Sequence, residues 1–403
     1  MAGFGPAFGS GGTTNDKTIY VNSELQFPTQ DATTITLREN QHYEYGADIL
    51  TTKNFVCEQG SSIASKNLDS HTLTYTGTGS MFSGTDVDFA IRQCKINTPN
   101  ATAFDFTDSV GSVKKFICED VQISNSAKVG EFTDMFLTQF TNSGAFNTTQ
   151  GIELFGTSGG VFSLDRMNVT STSASFKAVN FGSSQFQVNE MNNLVAGGPA
   201  GAVGISGLAS SGNVPAGRKA VVTGADFLGD ITPLENIEHF DIRWDFQGNP
   251  KINNSINVAD VYLTGGSETT DIITQGVFEE IGIPDAGGVS WASDIAERFT
   301  VGTDGVITYI GQEDIDVQIT GTATVEKVGG GSNEVEVRVA KNWTAGSTGY
   351  ERSRAITQNA TPTSVPFFVV DTITNGDNFR VILRNNSSDI DIICQVTSFV
   401  IKG

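Results

Sequence analysis

The stretch FICEDVQIS, residues 116–124, decides the fold because a charged pair interrupts a run of β-forming residues. Glu119 and Asp120 separate the apolar segment 116–118 from Val121. The stretch is too short for a helix and too apolar for an ordinary loop. A bend between two short strands explains the pattern, since polar residues can point outward at a bend while their apolar neighbours point inward.

The same order of residue types, with two polar residues between apolar ones, returns along the first half of the chain. The first apolar residue of each unit falls at Ile91, Cys118, Leu137, Leu164 and Val188, with less regular members at Val56 and Val222. The units repeat at a loose period in the low to middle twenties of residues, which is typical of a solenoid. The strand character of each unit favours a β-solenoid. We therefore predict that these residues stack inward, coil upon coil, in a parallel β-helix.

The polar doublets are predicted to point outward at the bends. They are Arg92–Gln93, Glu119–Asp120, Thr138–Gln139, Asp165–Arg166 and Asn189–Glu190. Their charges differ from unit to unit, whereas a catalytic or metal role would need one chemistry throughout, so a structural role is favoured. Phenylalanines between the units suit inward aromatic stacks, with a surface platform for sugars as the alternative. They are Phe104, Phe106, Phe146, Phe155, Phe176 and Phe181.

The chain has 403 residues and a formal charge of −21, from 45 acidic and 24 basic side chains. A surface this acidic repels phosphate backbones and anionic lipid, so we expect no nucleic-acid partner and no membrane insertion. Residues 1–17 have neither the basic start nor the apolar core of a signal peptide, and synthesis in a cytoplasm is expected. The four cysteines lie far apart among apolar residues, which predicts buried free thiols, and no spacing suggests a metal or a cofactor.

The predicted fold class is all-β: a right-handed parallel β-helix followed by a C-terminal antiparallel jelly-roll β-sandwich. The later strands show the alternation of a sheet with one polar face, as in EVEVRVAKN at 334–342. The predicted segments are an N-terminal arm at 1–17, the β-helix at 18–230, a connector that caps the stack at 231–257 and the sandwich at 258–403.

Residues 258–403, about a third of the chain, resemble the trimeric β-sandwich at the tip of tailed-bacteriophage fibres and virion appendages, a group similar to C1q and tumour-necrosis-factor-like jelly rolls. Three stretches carry the resemblance: VYLTGGSETTDIITQGVFEEI (261–281), RFTVGTDGVITYIGQEDIDVQITGTATVE (298–326) and NGDNFRVILRNNSSDIDIICQVTSFVIKG (375–403). The solenoid resembles the β-helix of phage tailspikes and fibres in its pattern alone.

The resemblance implies a homotrimer in the virion, as a tail or capsid appendage made in the host cytoplasm. The arm would bind other virion proteins through Phe4 and Phe8, or would be a tail without a role. A host cell-surface glycan or protein would be the receptor. The predicted receptor contacts are the aromatic residues Trp343, Tyr350 and Trp291, with core packing as the alternative and favoured for Trp291.

The function that this implies is a non-enzymatic tail fibre or spike that contacts the host surface. The alternatives are a head fibre or decoration protein without a receptor role, a tailspike depolymerase that cleaves host polysaccharide, and a bacterial surface adhesin. A depolymerase would need paired carboxylates. The candidates are Asp226, Asp230, Glu235, Glu238, Asp241 and Asp245, then Glu279–Glu280 and Asp314–Asp316, although solvated acids are favoured. No Ser-His-Asp order, GxSxG or phosphate-binding loop occurs.

Overall fold

A computed structural model describes residues 18–403 except for 68–69, 157–159, 209–212, 216–217, 219, 238–243, 253–254, 282–289, 312–313, 330–331, 351–354 and 359–360. The chain divides into two units, one comprising Met1–Ile237 and Gln247–Ile252, the other Glu238–Phe246 and Asn253–Gly403. The predicted connector, 231–257, therefore contains residues of both units. The predicted arm lies outside the described residues, together with Phe4 and Phe8.

Strands account for nearly all of the regular secondary structure described in the first unit. In chain order its described strands are β1 (Thr18–Val21), β2 (Thr34–Leu37), β3 (His42–Tyr45), β4 (Ile49–Thr51), β5 (Asn54–Cys57), β6 (Ser61–Ser65), β7 (Thr72–Tyr75), β8 (Ser80–Thr85), β9 (Phe89–Arg92), β10 (Lys95–Asn97), β11 (Thr102–Thr107), β12 (Lys115–Glu119), β13 (Gln122–Ser124), β14 (Lys128–Thr133), β15 (Leu137–Phe146), β16 (Gln150–Phe155), β17 (Gly160–Thr170), β18 (Lys177–Asn180), β19 (Phe186–Gly198), β20 (Val203–Ser206), β21 (Ala220–Thr223), β22 (Asp226–Gly229) and β23 (Thr232–Glu235). One turn of 3₁₀ helix covers Glu24–Gln26, and β24 (Trp244–Gln247) follows β23 in the chain.

These strands stack in parallel as a β-solenoid of about nine turns, which confirms the predicted parallel β-helix. Three faces run along it. Face A holds β1, β3, β6, β9, β12, the first halves of β15, β17 and β19, and β21. Face B holds β4, β7, β10, β13, the second halves of β15, β17 and β19, and β22. Face C is a separate sheet of β2, β5, β8, β11, β14, β16, β18, β20 and β23.

One column of inward side chains runs the length of face A. Strand register aligns Ile19, Tyr43, Ile63, Ile91, Cys118, Phe140, Leu164, Met191 and Val222. From Tyr43 onward every member is fully buried. The step between neighbours ranges from 20 residues (Tyr43 to Ile63) to 31 (Met191 to Val222), because the loops between coils differ in length.

The predicted stack is confirmed at four positions and wrong at three. Ile91, Cys118, Leu164 and Val222 belong to this column. Leu137 and Val188 do not, because β15 and β19 enter the sheet three residues earlier than predicted and place Phe140 and Met191 in the column. Val56 lies on face C, opposite Thr36 and Ser83.

In six successive coils, from the β9–β10 coil to the β21–β22 coil, one residue with positive φ makes the bend between faces A and B. In chain order these are Gln93 (52°), Asp120 (55°), Asn142 (47°), Arg166 (54°), Asn193 (54°) and Gly224 (63°). A single left-handed residue turns the chain while the strands on both sides keep their hydrogen bonds. Glycine has no Cβ, and asparagine and aspartate tolerate this conformation better than most residues, which explains their place in the column.

Three of the predicted doublets lie at this bend and two do not. Arg92–Gln93, Glu119–Asp120 and Asp165–Arg166 each end in the left-handed residue, as predicted. Thr138–Gln139 and Asn189–Glu190 lie within strands, where Thr138 and Asn189 are buried. The bends in these two coils come three residues after the predicted doublets, at 141–142 and 192–193.

Phenylalanine rings pack along the inside of the solenoid. The Phe55 and Phe82 rings stack at 4.9 Å, and the Phe116 and Phe132 centroids lie 4.6 Å apart. Among the predicted inward residues, Phe104, Phe106, Phe176 and Phe181 are buried. Phe155 is half-buried, and Phe146 is the exception because its side chain is exposed on face B.

The described strands of the second unit are antiparallel. They are β25 (Val258–Thr264), β26 (Glu268–Thr270), β27 (Glu279–Glu280), β28 (Ser290–Glu297), β29 (Phe299–Val301), β30 (Ile307–Tyr309), β31 (Ile315–Lys327), β32 (Ser332–Lys341), β33 (Ala355–Gln358), β34 (Thr363–Ile373), β35 (Asn378–Asn385) and β36 (Ile392–Lys402). One sheet runs β28-β25-β36-β31-β34 and the other β29-β30-β35-β32-β33. Both sheets contribute to one apolar core, and this arrangement fits the predicted sandwich.

Two substitutions at Arg166 test whether the bend needs a left-handed residue. Because only glycine takes positive φ without strain, we expect Arg166→Gly to be more stable than Arg166→Val by about 1–2 kcal/mol. Both substitutions remove the same guanidinium, so the comparison isolates the backbone. The measurement is the unfolding midpoint by circular dichroism.

The matched control is the preceding strand residue, Asp165, at which valine should be at least as stable as glycine because extended backbone favours β-branched side chains. Equal stability of the two Arg166 variants would contradict a left-handed bend at this position.

Candidate functional site

An open groove of about 600 Å³ lies on the outer surface of face C in its early coils. Its floor includes Val56, Ser83 and Asp105, which occupy one outward column of β5, β8 and β11. The turns after β2 and β5 contribute Glu39 and Glu58 to its wall. The groove therefore combines strand positions, which are rigid, with turn positions that come from two different coils.

Hydrogen bonds hold the carboxylates of the groove in place. The backbone N–H of Glu39 donates to Oε2 of Glu58 at 2.9 Å. The Ser80 hydroxyl donates to Oδ2 of Asp105 at 3.1 Å. Each carboxylate retains further lone pairs that can accept hydrogen bonds from a ligand.

The chemistry of the lining suits a ligand rich in hydroxyl groups. Ser83, Thr85 and Thr107 present hydroxyls beside the three carboxylates, so the groove offers both donors and acceptors. The lining contains the carboxylates of Glu39, Glu58 and Asp105, and its described residues include no lysine or arginine. Such a groove favours neutral or cationic ligands and disfavours polyanions.

Farther along face C the outward acids are ion-paired. The Lys128 ammonium contacts Glu131 at 2.7 Å and also contacts Glu153. Lys177 pairs with Glu235, which also accepts a hydrogen bond from Ser206 at 2.6 Å. These pairs link neighbouring coils, whereas among the described residues the groove carboxylates Glu39, Glu58 and Asp105 form no ion pair.

Trp343 follows β32 and is half-buried. It packs against a small cluster formed by Phe278, Ala340 and Ile382 on the outer side of its sheet. The Arg380 guanidinium lies 5.4 Å from the centroid of its ring. One face of the indole is thus already covered by a cation, which reduces the area that it can offer to a sugar.

Tyr350 is also half-buried, and it belongs to a polar network. Its hydroxyl donates to Asp371, whose carboxylate lies 3.2 Å from the Lys341 ammonium. Lys341 is also 2.8 Å from Asp377. Burial and the bond to Asp371 both raise the pKa of Tyr350, so the phenol stays protonated at neutral pH.

Trp291, on β28, packs against the main core of the sandwich. Its ring covers Gly305, where φ is 77° and a Cβ atom would lie 2.1 Å from the indole. This contact favours the core-packing alternative. The three aromatic residues therefore divide between two packing environments, with Trp291 and Tyr350 on the main core and Trp343 on the outer cluster. Their role as receptor contacts stays a prediction.

Among the acids singled out in the sequence, Glu235, Glu280 and Asp316 have partners within the protein. Besides the Glu235 pair, Glu280 contacts Arg380, and Asp316 accepts a hydrogen bond from Thr372 at 2.6 Å. Glu238 and Asp241 lie outside the described residues. Sequence reasoning missed the groove on face C, whose acids fall in different coils and come together only through the solenoid.

All four cysteines are buried with free thiols, as predicted. Burial raises the pKa of Cys94 and Cys394 to about 12, so these thiols are unreactive at neutral pH. Across the described part of the chain, no group of three or more His, Cys, Asp or Glu side chains could hold a metal ion. Within the same residues, no helix has the length and apolar character needed to cross a bilayer.

Among solved structures, the chain has distant likenesses, including a TNF structure and a tailspike domain. No family model matches the chain, and no curated protein matches it. The structure of Eiger TNF from S. frugiperda has a TM-score of 0.25 at 10% identity, over 36% of this chain and 90% of that one. The enzymatically active domain of tailspike protein 4 from bacteriophage CBA120 has a TM-score of 0.20 at 11% identity, over 89% of this chain. The chain spans 64% of that tailspike chain.

We expect Asp377 to make the stability of the sandwich sensitive to acid. Burial would raise its pKa, but hydrogen bonds from Lys341, Thr374 and Asn342 outweigh burial and hold the pKa at about 2, against 3.8 in the unfolded chain. The ionised carboxylate therefore contributes about 2 kcal/mol above pH 4, and this contribution is lost as pH falls from about 4 to 2. We expect Asp377→Asn to lower stability at pH 5 and to flatten its decline towards pH 2.5.

Unfolding can be followed through tryptophan fluorescence, since two of the three tryptophans lie in the sandwich. Asp389→Asn is the control, because it removes the same charge from an exposed turn residue. An unchanged pH profile in Asp377→Asn would show that the network does not stabilise the ionised carboxylate.

Proposed function

We propose that the protein is a structural component of a bacteriophage virion: a homotrimeric tail fibre or spike that contacts the host cell surface without cleaving it. The observation that carries this proposal is the succession, in one chain, of a parallel solenoid of about nine turns and antiparallel sheets that fit a sandwich. A solenoid with hydrogen bonds along its axis is stiff, and it suits a part that must hold a binding surface away from a particle.

The groove on face C is the receptor contact that we favour, and a surface glycan is the ligand class that fits it. Sugar hydroxyls can bond to the carboxylates of Glu39, Glu58 and Asp105 and to the neighbouring hydroxyls. Because the groove is acidic, we expect a neutral or amino-sugar polymer rather than a polyanionic capsule. Trp343 and Tyr350 are the competing contacts, on the sandwich.

The test is binding of fluorescently labelled protein to a panel of bacterial strains. We expect saturable binding to some strains, and at least a tenfold loss of affinity in Ser83→Trp, because the indole fills the groove. Thr141→Trp adds the same side chain on face A and should bind as the wild type does. Failure of the wild type to bind any host strain would favour the head-fibre or decoration alternative.

Trp343→Ala separates the two proposed contacts in the same assay. Since the ring packs on Ala340 and under Arg380, the substitution will lower the stability of the sandwich. At equal folded concentration we expect binding to be unchanged if the groove is the contact. A loss of binding in Trp343→Ala but not in Ser83→Trp would move the contact to the sandwich.

A glycan-cleaving tailspike is the second candidate function, and the carboxylates in the groove are the observation that favours it. Cleavage would need one carboxyl group as acid and a second as base or nucleophile. The test is incubation with purified host polysaccharide, followed by measurement of chain length and of new reducing ends. We expect no shortening. Shortening by the wild type that is lost in Glu58→Gln would establish the enzymatic alternative.

A further inference from the structure

Face B has two outward columns. One of them carries Lys95 and Asp226. The other, which we call the face B column, has no charged residue. It contains, in chain order, Leu50, Thr74, Asn97, Ser124, Phe146, Thr170, Gly197 and Leu228. Eight successive coils contribute, so the column extends for about 34 Å at the usual strand spacing of about 4.8 Å. In a chain of charge −21, an uncharged strip of this length calls for an explanation.

Each of the other two faces has an outward column with several charged residues. On face A the column through Arg92 also contains Glu44, Glu119 and Asp165. On face C the column through Asp105 continues to Glu131, Glu153 and Glu235. Two copies that met through face A or face C would therefore bring carboxylates together, at a cost in free energy.

The polar groups at the centre of the face B column already have partners within the chain. The Ser124 hydroxyl donates to the backbone carbonyl of Ile96 at 3.2 Å. Beside it, Asn125 donates to Asn97 at 2.9 Å, and Asn147 donates to Asn125 at 2.7 Å, so an asparagine ladder borders the column. Covering groups that are already bonded costs little, because they keep their hydrogen bonds when water leaves.

Three large apolar side chains protrude from the same column. Leu50 is 68% exposed, Leu228 is 45% exposed, and Phe146 is 41% exposed with its ring over Gly144. They lie near both ends and in the middle of the strip. Their removal from water would supply the favourable free energy for association.

We propose that the face B column is the surface through which copies of this chain associate, side by side with parallel axes. This inference rests on the homotrimer of the proposed function and names the surface that forms it. A second copy is the partner that fits best, because it has the same coil spacing over the same length. It also presents the same uncharged strip, so the face B columns themselves bring no carboxylates together when they meet around a symmetry axis.

Cross-linking through a single introduced cysteine tests the contact directly. The native thiols are buried, so Phe146→Cys would carry the one accessible thiol among the described residues. We expect a short bifunctional maleimide to join Phe146→Cys chains into covalent dimers at micromolar protein. Thr141→Cys is the matched control, since it lies on the same strand but on face A, and it should remain monomeric on a denaturing gel. Equal cross-linking of both variants, or of neither, would overturn the proposed surface.

Charge substitution provides an independent test by light scattering after size exclusion. The wild type should have about three times the chain mass of 42.7 kDa. Leu50→Glu/Phe146→Glu/Leu228→Glu should reduce this to a single chain mass with the same circular dichroism spectrum. The control Thr141→Glu/Asn192→Glu/Thr223→Glu adds the same charge to face A and should stay trimeric.

The outcomes separate this inference from the proposed function. A trimer that persists in the face B variant overturns the surface and leaves the trimeric fibre standing. A monomeric wild type overturns both the surface and the trimer. A trimer that forms through face B but binds no cells supports the surface and counts against the receptor role.

Discussion

Register between stacked coils is the constraint on which the first unit depends. Each inward position is covered above and below by the same position of neighbouring coils, so one polar or misplaced residue would disturb three coils at once. The fully buried column from Tyr43 to Val222 shows how this requirement is met with residues of very different shape. Shape can vary because aromatic rings fill the space between columns, as Phe116 does among Phe104, Phe132 and Phe140.

The bend explains why the sequence predicted the solenoid correctly but misplaced two of its coils. In β12 the order apolar, polar, polar, apolar occurs once, and Glu119–Asp120 can be placed without ambiguity. In β15 and β19 a similar order occurs twice, three residues apart. Both strands continue through the bend, so no break in the strand shows which of the two doublets lies at the bend. The deciding signal is the residue that tolerates positive φ, Asn142 or Asn193, and apolar spacing alone does not contain it.

The candidate site was less accessible to sequence reasoning than the fold. The alternation in β32 predicts a sheet with one buried face, and Val335, Val337 and Val339 are indeed in the core. Nothing in that alternation tells whether a tryptophan just beyond the strand faces water or is covered, and Trp343 lies under Arg380, a residue of another strand. The groove is even harder to predict from the sequence. Its acids Glu39, Glu58 and Asp105 come together only when coils of unequal length stack in register.

Charge links the stacking of coils to the association of chains. A solenoid repeats its outward positions along the axis, so a charge placed there tends to meet a like charge about 4.8 Å away. Face C resolves this conflict with lysines, since Lys128 lies between Glu131 and Glu153. Face B resolves it in one of its two outward columns, the face B column, which carries no charge. The ion pairs of face C keep that face hydrated. The uncharged column of face B can lose its water at a low cost in free energy. If both proposals hold, one period gives a surface for a hydrophilic ligand and a surface for a like-charged copy.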